Sequence, residues 1–70
     1  MNGWDAAAWL REFEAVGGSV ETGSDGRLRT SYPIHGSTIA DQRACCCLLT
    51  KLSADPRRVS AVRLRLLARP

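Results

Sequence analysis

The chain has 70 residues, 44% of them hydrophobic and 24% charged, with a formal net charge of +3 and a pI near 9.1. A chain this short buries only about 60% of the surface its unfolded state exposes, which leaves room for one core and none for a second domain or a deep catalytic cleft. The apolar content argues against intrinsic disorder, and the longest uninterrupted apolar run, Ala44 to Leu49, falls far short of the roughly twenty residues of a membrane helix.

Residues 1–70 are therefore read as a single small α+β domain. From Trp4 to Val16 the apolar residues Ala6, Trp9, Leu10, Phe13 and Val16 recur at helical spacing, with Arg11, Glu12 and Glu14 elsewhere on the wheel. Asn2 is the expected N-cap, Asp5 belongs to the first turn, and Gly17-Gly18 supplies a left-handed stop. The charges at Asp5, Arg11, Glu12 and Glu14 also break up any secretory leader.

In the segment that follows, Val20, Thr22, Leu28, Thr30 and Tyr32 share one parity around a turn at Ser24-Asp25-Gly26. This predicts a β-hairpin with a type I turn and a glycine at positive φ, a register that sets Glu21 opposite Arg29 on the wetter face. Two strands alone are marginal, so the Val20/Leu28/Tyr32 face must lie on the helices.

Pro33 ends the second strand. A second helix is expected over Thr38 to Leu52, capped by Ser37 or Thr38 with Asp41 in the capping-box position, its inner stripe formed by Cys45, Leu48, Leu49 and Leu52. A third starts at Ser53 or Asp55 with Pro56 at its first position and turns Val59, Val62 and Leu66 inward. There Val62, Leu64 and Leu66 also alternate with Arg63 and Arg65 as a strand would; the Asp-Pro start and the Leu, Arg and Ala content favour helix.

Three consecutive cysteines are the most conspicuous candidate for chemistry. Successive helical residues point about 100° apart, so Cys45, Cys46 and Cys47 cannot converge on one ion, and thiolate ligands normally stand two to four residues apart. His35, the only imidazole, adds at most one ligand from a loop. No metal and no cofactor is expected. The wheel puts Cys45 in the core, Cys46 at its boundary and Cys47 in solvent, so Cys47 is the candidate reactive thiol. An odd, unspaced set of cysteines forms no secreted disulfide framework, which points to a reducing cytoplasm.

Enzymatic features are missing from the pattern. His35 and Ser37 lie two residues apart in a loop with no acid beside them, and the glycines match neither nucleotide fingerprint. The positive charge is late in the chain, with Arg57, Arg58, Arg65 and Arg69 as candidate nucleic-acid contacts; a solvated arginine face is the commoner origin of such a run, and no recognition-helix or RNA-binding signature accompanies it. For protein partners, the hairpin offers an unpaired edge with Arg27, Arg29 and Glu21 on its outer face. Trp4 stands off the Trp9/Phe13 stripe, either exposed to a partner or folded over the core as a lid.

The phrases "WLREFEAVGGSV" and "DGRLRTSYP", together spanning much of Trp9 to Pro33, resemble the small N-terminal docking domains of bacterial peptide and polyketide assembly lines, of which the tubulysin pathway is typical. Beyond Pro33 the chain departs from that family's lysine and leucine pattern. The resemblance implies an αββαα architecture in which the hairpin and neighbouring helix receive a short acidic tail from an upstream protein, with Arg27 and Arg29 facing it. The resulting expectation is a non-catalytic docking or adaptor module that binds another protein, such as an acidic peptide segment, through its hairpin and adjacent basic surface. Two alternatives stand beside it: a nucleic-acid-associated regulator using the C-terminal arginines, and a stoichiometric inhibitor encoded by a phage or plasmid.

Overall fold

The computed structural model describes residues 4–33 and 35–69. In chain order they form α1 (Ala6–Ala15), β1 (Ser19–Thr22), β2 (Leu28–Ser31), α2 (Ile39–Ser53) and α3 (Pro56–Leu67), the αββαα arrangement that the sequence pattern predicts. Asn2 lies outside the described residues. The N-cap of α1 is Asp5, whose Oδ1 accepts the Ala7 N–H at 3.0 Å, so Asp5 stands before the helix and not in its first turn.

α1 ends in a Schellman motif. The Gly18 N–H donates to the Phe13 carbonyl at 2.9 Å and the Gly17 N–H to the Glu14 carbonyl at 3.1 Å, with Gly17 at φ +95°. The chain thereby reverses within two residues and enters β1 directly.

The hairpin register pairs Val20 with Thr30 and Glu21 with Arg29, as the parity of the apolar residues requires. Its turn is closed by the Gly26 N–H on the Gly23 carbonyl at 2.9 Å and the Gly23 N–H on the Arg27 carbonyl at 2.7 Å, with Gly26 at φ +81°. That is a type I turn followed by a glycine bulge. Val20, Leu28 and Tyr32 pack on the core, whereas Ser19, Glu21, Arg29 and Ser31 are exposed.

Thr38 caps α2 by accepting the Asp41 N–H at 3.0 Å. Asp55 caps α3 through the Arg57 N–H at 2.9 Å, and Pro56 occupies the first turn, where a missing N–H leaves nothing unsatisfied. The ambiguous C-terminal stretch is thus a helix. Helical spacing alone turns Val59, Val62 and Leu66 to one side, where all three meet the core.

Among the described residues the buried hydrophobic set is Trp9, Leu10 and Phe13 from α1, Cys45, Leu48 and Leu52 from α2, and Val62 from α3. Trp9 stacks on Phe13 with ring centroids 5.0 Å apart, and its indole N–H donates to the Leu48 carbonyl at 2.8 Å, joining α1 to α2. At about 1.5–3 kcal/mol for each fully buried apolar side chain, a core this thin is sensitive to any single truncation.

Candidate partner-binding surface

The short loop after β1 brings the basic hairpin residues to the tip of the sheet. Asp25 Oδ1 accepts the Arg27 N–H at 3.0 Å, fixing the turn, and its second oxygen stands 4.0 Å from Arg27 Nε. The Arg27 side chain is nevertheless 87% exposed. Arg29 is exposed too, and its guanidinium folds back over Gly23, where a Cβ would meet Arg29 Nε at 2.6 Å. Glu21 faces Arg29 across the ladder, but the two form no ion pair.

A third arginine joins them from α3. Arg63 Nη1 donates to the Gly26 carbonyl at 3.3 Å, tying the helix to the turn. Sequence reading did not single out Arg63 as a site residue. The signal was its place on the wheel, about 100° from the inward Val62, but only the packing of α3 beside β1 shows that the hairpin stands on that flank. Leu64 and Leu67, 65% and 68% exposed, fall on the adjoining arc of α3.

The other candidate arginines lie elsewhere. Arg57 forms a forked pair with Asp55, with Nη2 to Oδ2 at 2.9 Å and Nε to Oδ2 at 3.2 Å. Those hydrogen bonds hold the Asp55 carboxyl below its ordinary range and raise Arg57. Arg58 lies 5.5 Å above the Trp4 ring and donates to the Lys51 carbonyl at 2.7 Å. Arg69 binds both Glu14 oxygens, at 3.0 and 2.9 Å, which lowers the Glu14 pKa chiefly through that hydrogen bond. Arg65 has no carboxylate within ion-pair distance among the described residues.

Trp4 is half-buried. It tilts against Trp9 with centroids 6.4 Å apart and is covered by Arg58, so it lies over the core while keeping one edge in solvent.

The cysteines separate as helical geometry demands, with one correction. Cys45 is buried and its thiol points to the Val16 carbonyl at 3.8 Å; burial pushes its pKa up. Cys47 is exposed as expected. Cys46 is exposed as well, not a boundary residue, because only the edge of the hairpin reaches that side of α2: the Tyr32 hydroxyl stands 3.5 Å from Cys46 Sγ. That contact raises the Tyr32 pKa, first through the hydrogen bond and then through charge repulsion.

Among the described residues no three or more His, Cys, Asp or Glu side chains gather as metal ligands, and no helix is long and apolar enough to cross a membrane. Comparison with models of known protein families, with curated proteins and with solved structures returns no match.

Proposed function

We propose that this domain is a non-catalytic protein-binding module that takes up an acidic, extended segment of another protein along its β-hairpin. Arg27 and Arg29 face the ligand, with Glu21 at the margin of the contact, and Arg63 braces the turn and adds charge; Trp4, whose ring contacts are with Trp9 and Arg58, is a separate candidate contact. The observation that carries this reading is the gathering of three arginines at the tip of an exposed two-stranded sheet where, among the described residues, Asp25 alone is a carboxylate within ion-pair reach. An unpaired strand edge offers main-chain hydrogen bonds to an added strand, and the positive tip selects for acidic sequence.

The likeness of residues 9–33 to assembly-line docking domains supports the same use of the hairpin. Three unpaired thiols suit a reducing compartment such as the cytoplasm. The nucleic-acid reading draws less support, because Arg57, Arg58 and Arg69 are each held by partners within the chain.

The test is fluorescence anisotropy with a labelled peptide of alternating glutamate and valine, titrated at low salt into wild-type protein and into the R27E/R29E variant. The expected result is saturable binding that the double reversal weakens at least about tenfold and that added salt weakens further. Equal affinity for both proteins, with unchanged circular dichroism, overturns the proposal. Duplex DNA serves as the competing probe, and a mobility shift that persists in R27E/R29E favours the C-terminal arginines instead.

A further inference from the structure

The far flank of α3 carries a second basic feature. Helical spacing turns Arg65 and Arg69 away from the hairpin and towards α1, where Arg11 projects from the facing helix. Between the helices lies a groove of about 280 Å³, lined by Ala7, Leu10, Arg11, Arg65, Ala68 and Arg69. Among the described residues no carboxylate lines it.

The three guanidiniums are not equivalent. Arg69 is committed to Glu14, which accepts from both of its terminal nitrogens. Arg11 and Arg65 are exposed and make no hydrogen bond or ion pair with any described residue, so the groove keeps two uncompensated positive charges above a floor of alanine and leucine side chains. A guanidinium is planar and weakly hydrated, and it presents paired donors that match the oxygens of a phosphate. The volume lies just under the usual range of about 300–1,000 Å³ for small-molecule pockets, which suits a small anion with at most a ring or short chain attached.

We propose that the groove between α1 and α3 binds a phosphate-type anion, with Arg11 and Arg65 as its ligands and Arg69 as a wall held in place by Glu14. This site is separate from the hairpin surface and stands independently of the docking reading. Binding neutralises the two free guanidiniums and, by favouring the folded state, stabilises the domain.

The test is a two-dimensional ¹H–¹⁵N NMR titration with inorganic phosphate and, separately, phenyl phosphate, at fixed ionic strength. The expected result is saturable shifts at the amides of Ala7, Leu10, Arg11, Arg65 and Ala68, with those of Arg27 and Arg29 unmoved. Tighter binding of phenyl phosphate identifies an anion carried on an apolar body, and equal binding identifies free phosphate; both support the site. R11Q and R65Q should each weaken binding about fivefold, and the double variant should abolish saturation. E14Q, which releases Arg69, should strengthen it by a similar factor. Shifts that grow linearly at every basic surface, or saturation unchanged in a folded R11Q/R65Q protein, overturn the proposal.

Discussion

Replacing Gly18 with alanine tests how the hairpin is seated on α1. Gly18 does not have a left-handed φ, so the backbone tolerates a side chain there. Space does not: the new Cβ would stand 2.5 Å from Phe13 Cδ2 and 2.6 Å from Cζ, against an ordinary carbon contact of about 3.5–4.0 Å. The Phe13 ring is 0% exposed and has Trp9 stacked 5.0 Å away, so it has nowhere to swing. Overpacking of this kind costs about 1–3 kcal/mol, and the lower unfolded-state entropy of alanine offsets about 0.4–1 kcal/mol of it. With three ring atoms inside clash distance the cost lies in the upper half of that range, for a net loss of about 1–2.5 kcal/mol, or a fall in Tm of roughly 10 °C for a domain of this size. Gly26→Ala is the control. Its φ is +81° but nothing lies within 4 Å of the added Cβ, so it tests backbone strain alone, about 1 kcal/mol. Urea and thermal unfolding of G18A, F13L and G18A/F13L, followed by circular dichroism, complete a double-mutant cycle. The shorter leucine removes the ring atoms that clash, so the G18A penalty should shrink by at least about 1 kcal/mol in the F13L background. Additivity within about 0.5 kcal/mol would refute the steric argument.

Other consequences are as direct. Trp9→Phe keeps most of the stacking surface but removes the indole N–H that reaches the Leu48 carbonyl from α1, so it should cost about 1–2 kcal/mol in urea unfolding; a loss below about 0.5 kcal/mol contradicts a structural role for that bond. Glu14 and Asp55 both have pKa values lowered by their arginine partners, from ordinary values of 4.5 and 3.8. A lowered folded-state pKa gives stability that is present above the unfolded value and is lost as pH falls through the folded one. Stability should therefore hold from neutrality to about pH 5 and decline below about pH 4, less steeply in E14Q/D55N. An acid limb of the same slope in that variant removes the assignment. With a thiol-reactive disulfide reagent, Cys46 and Cys47 should label in the native state, while Cys45, buried and with its pKa raised, should label only at the rate of unfolding. Three equal native-state rates would rule this out.

The helix periods, the caps of α2 and α3 and the hairpin parity were legible because each rests on residues close in the chain, whereas at α1 the expectation fell on Asn2 and the cap is Asp5. Thr38, Asp55 and Gly26 act through hydrogen bonds within four residues and Pro56 through its missing N–H, and their local chemistry suffices. Gly17-Gly18 was legible as a stop but not as two separate roles, since the demand on Gly18 comes from the size of the Phe13 ring lying on it. The arginines show the same limit. A wheel places Arg58 and Arg65 on one flank of α3, yet only tertiary packing sets Trp4 under Arg58, Glu14 beside Arg69 and the turn carbonyl of Gly26 within reach of Arg63. Cys46 was misplaced for that reason: its wheel position is near the core stripe, but the neighbour on that side is the rim of a two-stranded sheet.

The two tryptophans give the molecule a built-in pair of optical reporters. Trp9 is sealed, stacked and hydrogen-bonded, so its emission should be blue-shifted until the domain unfolds as a whole. Trp4 precedes α1, half-buried under an arginine, so its emission and its access to iodide report opening at the N-terminal end of α1 alone. Selective excitation of W4F and W9F proteins would then time the release of that end against global opening, without any attached dye.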